Sequence, residues 1–169
     1  MRKRGNKILV VGVGNDLRGD DGAGPAVIDA LQPLDGLQAV CAKHDGDGAS
    51  LMDLWQEFGN VILIDAVRSG QAPGTVHFIN AAQQSLPSGW FHYSSHAFGV
   101  AEAVELARIL GALPPTLHII GVEGHDFSMG VPLSEAVEAR MDYLCALVRR
   151  DMQCIRNGEA MRLERPCHA

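Results

Sequence analysis

The chain has 169 residues, 47% of them apolar, and a mean hydropathy near zero, which fits one globular domain with a core of its own. Its formal net charge is -6; Arg2, Lys3, Arg4 and Lys7 at the start and Arg149, Arg150, Arg156, Arg162 and Arg165 near the end hold most of the bases, so the body between is strongly acidic. An acidic body repels polyphosphate and argues against nucleic acid as the main partner, and no apolar run approaches the roughly 20 residues of a membrane span.

The basic start runs into a glycine turn rather than a cleavage-site pattern, so a cytoplasmic location with no membrane partner is expected; a monomer is expected as well. Cys41, Cys145, Cys154 and Cys167 form no CxxC pair and are too sparse for a disulfide scaffold, which makes reduced thiols the default.

In chain order, "KILVVGVG" (7–14) predicts a buried strand, and "GAGPAVIDALQPL" a short helix that tolerates Pro25 in its first turn. "LQAVCAKHD" (37–45) is a second strand and "ASLMDLWQEF" a second helix; "NVILIDAV" (60–67) is the most apolar strand. "TVHFIN" (75–80) reads as a strand antiparallel to its predecessor, because the "RSGQAPG" connection is a short turn. Residues 81–95 have no clear period and read as a long loop of the sort that borders a site.

"HAFGVAEAVELARILG" (96–111) predicts a helix, "TLHIIGVEG" (116–124) a fifth strand and "PLSEAVEARMDYLCALVRR" (132–150) a closing helix. Strands and helices in alternation imply an α/β fold: one three-layer domain, a mostly parallel five-stranded sheet with one antiparallel strand, and helices on both faces. The domain is expected to span residues 1–150, with 151–169 as a loosely held C-terminal tail.

In open α/β sheets every parallel strand delivers its following loop to the same edge, where ligands bind. That rule collects Asp20 and Asp21 after the first strand, Asp45 and Asp47 after the second, Asp65 at the end of the third, and Glu123, His125 and Asp126 after the fifth. His96 joins them if its helix starts there. Carboxylates crowded into one cleft repel each other, so one of them holds a proton or they bind a cation. Two carboxylates and an imidazole suit zinc, nickel or ferrous iron, whereas calcium prefers oxygen alone.

Each residue alone also has a structural reading. Asp20 and Asp21 could cap the following helix, His96 could make a structural hydrogen bond, and Asp45 could be an ordinary turn aspartate. Asp65 favours a site role, because an acid closing "VILID" is costly to desolvate without a partner. Glu123, His125 and Asp126 could be a solvated loop, and His44, His77, His92 and His118 read as structural.

A calcium loop fails because the twelfth position from Asp45 is Gln56. The dinucleotide fingerprint fails because Leu17 stands where its third glycine belongs. Neither Gly-Lys-Ser/Thr nor Gly-x-Ser-x-Gly occurs.

The elements "GVGNDLRGDDGAGP", "HDGDG", "VILIDAV" and "SSHAFG", in this order and at these separations, resemble the [NiFe]-hydrogenase maturation endopeptidases from about residue 7 to about residue 148. The resemblance implies that Asp21, Asp65 and His96 are the metal-binding and catalytic residues, with the general base unassigned and Asp20 and Asp45 as candidate helpers. It implies an endopeptidase of metal-dependent or aspartic type that removes a C-terminal extension from the precursor of a [NiFe]-hydrogenase large subunit once nickel is inserted. The nickel would be carried by that substrate, and zinc or another divalent ion can substitute in the isolated protein. Two other expectations stand beside it: a module that holds or delivers nickel without cutting, and a nucleotide-binding oxidoreductase.

Overall fold

The computed structural model of the protein describes residues 5–31, 39–87, 89–91 and 98–163. β1 (Gly5–Val13) leads through a tight turn to α1 (Ala23–Leu31), followed by β2 (Ala39–His44), α2 (Gly48–Trp55), β3 (Phe58–Val67) and β4 (Val76–Asn80). The rest is α3 (Val100–Ile109), β5 (Thr116–Glu123), the one-turn α4 (Glu135–Glu138) and α5 (Met141–Asn157).

The strands form one sheet in the order β2-β1-β3-β5-β4, parallel except for the β4–β5 pair. Alternation along the strands divides the core in two. Ile8, Val10, Ile62, Ile64, Ile120 and Val122 pack against α1 and α5, while Leu9, Val11, Leu63, Leu117 and Ile119 pack against α2 and α3. The mostly parallel sheet covered on both faces is the expected fold.

Four details differ from expectation. β4 runs antiparallel but pairs with β5, which lies between it and β3; the short connection carries the chain past one strand position instead of closing a hairpin. The third long helix starts at Val100, not at residue 96. Gly99 is its N-cap, with the Gly99 amide donating to Glu102 Oε2 at 3.0 Å.

The closing helix, expected over 132–150, is α4 and then α5, separated by a tightened turn where ψ reaches -12° at Ala139 and -7° at Arg140. The expected tail boundary at residue 150 falls inside α5, which runs to Asn157 and ends at Gly158 in the left-handed conformation. Asp151 and Met152 are buried, and His118 Nδ1 lies 2.9 and 3.0 Å from the two carboxylate oxygens of Asp151. This buried contact ties α5 to β5.

The glycines after β1 are there for packing. A Cβ on Gly24 would lie 2.4 Å from the carbonyl oxygens of both Val13 and Ile64, so only glycine lets α1 start against the ends of β1 and β3. Gly14, at φ 133°, lets the chain reverse so tightly that a Cβ there would fall 1.8 Å from the Asp21 carbonyl oxygen.

Candidate active site

The pairing register opens a crevice at one edge of the sheet. β1 pairs with β3 only as far as Gly12 opposite Ile64, whereas β3 continues through Asp65, Ala66 and Val67 alongside β5. β1 is also where the strand order reverses, with β2 on one side and β3 on the other. Such a switch point is where doubly wound sheets bind ligands. A cleft of about 610 Å³ opens there, its walls including Asn15, Asp21, His44, Asp45, Asp65 and Phe91.

Asp21 and Asp65 both face this cleft and both are buried. Burial raises the Asp21 carboxyl above its ordinary value, opposed by the Asn15 amide, which donates to Asp21 Oδ2 at 3.1 Å, and by the charge of Arg18. Asp65 is raised well above the ordinary carboxylate range, first by burial and then by the negative charge of Asp21, with only the Ala66 amide opposing. A carboxylate pair in that state retains a proton or shares a cation.

The raised values carry a pH signature. Between the ordinary carboxylate range and the raised pKa values, the folded chain holds protons that the unfolded chain has lost, so stability falls as pH rises through that window. Asp65→Asn removes the larger part of this loss. Its melting temperature is expected to exceed that of the unaltered chain at about pH 7, with the gap narrowing towards about pH 4, where the unfolded chain takes up its proton as well. Circular dichroism melts across that range check it; a gap that widens on acidification contradicts the electrostatic account.

Asp20, one residue from Asp21, does something else. It is fully buried, and its carboxylate accepts from the amides of His125 (2.7 Å), Asp126 (3.0 Å) and Ser134 (2.7 Å) and from the Ser134 hydroxyl (2.9 Å). It fastens the 124–134 loop to the turn after β1, as an acid in this turn can only do once the distant loop has folded onto it.

Glu123 is not part of a solvated loop. It is buried, accepting from the Ser69 hydroxyl (2.6 Å) and from the Ser69 and Gly70 amides (3.0 Å each). Burial pushes its carboxyl up, but these bonds and His77 beside it outweigh that and leave it below the ordinary value.

Asp45 also lines the cleft, and Asp47 caps α2 through Oδ1, which accepts from the Ser50 amide at 2.9 Å. His44 accepts the Gly46 amide at Nδ1 and lies 3.2 Å from Ser50 Oγ at Nε2, the structural role expected of it. His96 and His92 lie outside the described residues, as does Cys167. Among the described residues, no group of three His, Cys, Asp or Glu side chains is arranged to hold a metal ion.

Sequence reading missed one contributor. Asn15 orients Asp21 through its backbone amide and, through Oδ1, accepts the Leu17 amide at 2.9 Å. Its place in a Gly-Asn-x-Leu turn, where asparagine side chains bond to their own backbone two residues on, was the available signal.

The fold and site define the class: a doubly wound α/β domain with a buried carboxylate pair in a cleft at its switch point, where such sheets bind ligands. Comparison with known proteins narrows the class. The family model described as hydrogenase maturation protease matches residues 46–150. The hydrogenase expression/formation protein HoxM of Azotobacter vinelandii is 30% identical over 165 residues, covering 92% of this chain and 80% of that protein.

The hydrogenase 2 maturation protease of Escherichia coli (strain K12) is 30% identical over 141 residues, covering 80% of this chain and 84% of its own. The solved structure of the hydrogenase maturating endopeptidase HybD from E. coli superposes with a TM-score of 0.71 at 24% identity, over 87% of this chain and 92% of that one, a likeness of fold. The chain belongs to the hydrogenase maturation protease family, and is thus a peptidase.

Proposed function

We propose that this chain removes the C-terminal extension from the precursor of a [NiFe]-hydrogenase large subunit after nickel insertion, and that nickel held by the precursor is its recognition element. The observation that carries this reading is the buried Asp21–Asp65 pair in the cleft, whose carboxyls are raised chiefly by burial and, at Asp65, by the charge of Asp21, a crowding that a cation relieves. The names of the relatives support hydrogenase as the system served. Two carboxylates are donors enough to complete an ion that arrives already ligated by another protein.

In this reading Asp21 and Asp65, with His96 as third donor, grip the precursor's nickel and so bring the scissile peptide to the cleft. A carboxylate of the pair accepts a proton from water as its oxygen bonds to the peptide carbonyl carbon; the C–N bond then breaks and the leaving amine takes up a proton. The chain acts as a monomer in the cytoplasm, and zinc or another divalent ion can occupy the isolated cleft. No helix among the described residues is long and apolar enough to cross a membrane.

The test mixes purified protein with nickel-loaded precursor and with nickel-free precursor and follows both by intact mass. Loss of the extension from the nickel-loaded form alone is expected. Tight binding with unchanged mass indicates a nickel-holding module instead, and equal cutting of both forms removes nickel from the account.

A further inference from the structure

Leu17 and Met129 are large apolar side chains, 65% and 64% exposed, in turns where polar residues ordinarily stand. Leu17 lines the Asp21–Asp65 cleft. Its turn is closed by the Arg18 amide donating to the Asn15 carbonyl at 3.0 Å, and braced by its own amide on Asn15 Oδ1. Met129 precedes Gly130, whose φ of 77° reverses the chain and whose amide donates to the Leu17 carbonyl at 2.7 Å. A second backbone bond, from the Gly19 amide to the Val131 carbonyl at 3.1 Å, and the Asp20 carboxylate clamp the same two loops together. The two side chains are thus displayed from braced backbone.

We propose that Leu17 and Met129 form an apolar lip on the cleft that docks an apolar stretch of the precursor polypeptide next to its scissile bond. The proposal rests on the endopeptidase reading. The cleft wall mixes charged and polar groups, Asp16, Arg18, Lys43 and Asp45 among them, with an apolar floor that includes Pro25 and Phe91, and the lip carries that apolar surface outwards. Polar groups in a wet cleft exchange water bonds for substrate bonds with little net gain, so affinity for a polypeptide has to come from apolar burial.

Bracing removes most of the ordering cost on the enzyme's side. An unbranched methionine beside a leucine also accommodates side chains of more than one shape. The occupant is the substrate chain because Leu17 is continuous with the wall that carries Asp21.

The experiment compares Leu17→Ser, Met129→Ser and the double variant with the unaltered chain on full-length nickel-loaded precursor. Expected is a KM about tenfold higher for each single variant and about a hundredfold higher for the double, as for two independently buried side chains. The kcat and the melting temperature stay unchanged, because the bonds that brace both turns come from backbone atoms and from Asn15 and Asp20. Leu17→Met with Met129→Leu restores KM.

A double variant whose KM stays within about twofold, or whose kcat falls at constant KM, overturns the lip. If the unaltered chain leaves the precursor uncut, the endopeptidase reading fails instead. The lip is then judged on the Kd of the same variants for the precursor: an unmoved Kd overturns it and a Kd raised as above sustains it.

Discussion

Alanine at Asp21 or at Asp65 is expected to lower the rate of precursor processing by about a thousandfold or more, the scale on which a proton acceptor and a metal contact act together. Neither variant should unfold the protein. Both carboxylates are held up in pKa chiefly by burial, and Asp65 also by its neighbour, so removing one relieves the other. Asp21 gives up one hydrogen bond from the Asn15 amide, which water entering the open cleft can replace. The melting temperature of either variant is therefore expected to hold or rise while activity disappears. His96→Ala should lose processing as well, and retained processing in all three variants defeats the assignment.

Asp20→Ala is expected to do the reverse. Asp20 is enclosed and satisfies three backbone amides and a hydroxyl of one loop, so alanine leaves four donors facing a void. A loss of about 3–5 kcal/mol follows, among the largest for a single substitution. In a chain of 169 residues this is a fall of about 10 °C in melting temperature. Thermal melts of Asp20→Ala and Asp21→Ala side by side check it. A small shift for Asp20→Ala would mean that the 124–134 loop is held by something other than this carboxylate.

Two adjacent aspartates with opposite jobs show what sequence could and could not reveal. That Asp21 and Asp65 share an edge was legible, because strand polarity brings the loops after parallel strands to one side whatever their separation. That Asp20 serves a loop more than a hundred residues away was not, since its partners are backbone amides and every residue except proline offers one. Glu123 was misread for the same reason: the Ser69 and Gly70 amides that hold it carry no sequence signature.

The neighbour of β4 depends on which strand fills the sheet position beside β3, a choice made by packing rather than by the length of the connection. The start of α3 was blurred because His96, Ala97 and Phe98 continue a helical apolar period up to Gly99, which ends it. The extent of α5 was hidden by a charge cluster, Arg149, Arg150 and Asp151, that reads as solvated until His118 is seen beneath Asp151.

Asp65 sits on the middle strand of the sheet, hydrogen-bonded into its framework, while Asp21 stands on a turn pinned down by Gly14 and the Asp20 clamp. The span between the two carboxylates is therefore a property of the whole architecture, as the gap of a calliper belongs to its frame. In the reading proposed above, such a cleft gauges its visitor instead of moulding around it, and a precursor presented at the wrong angle meets jaws set by the sheet and the turn together.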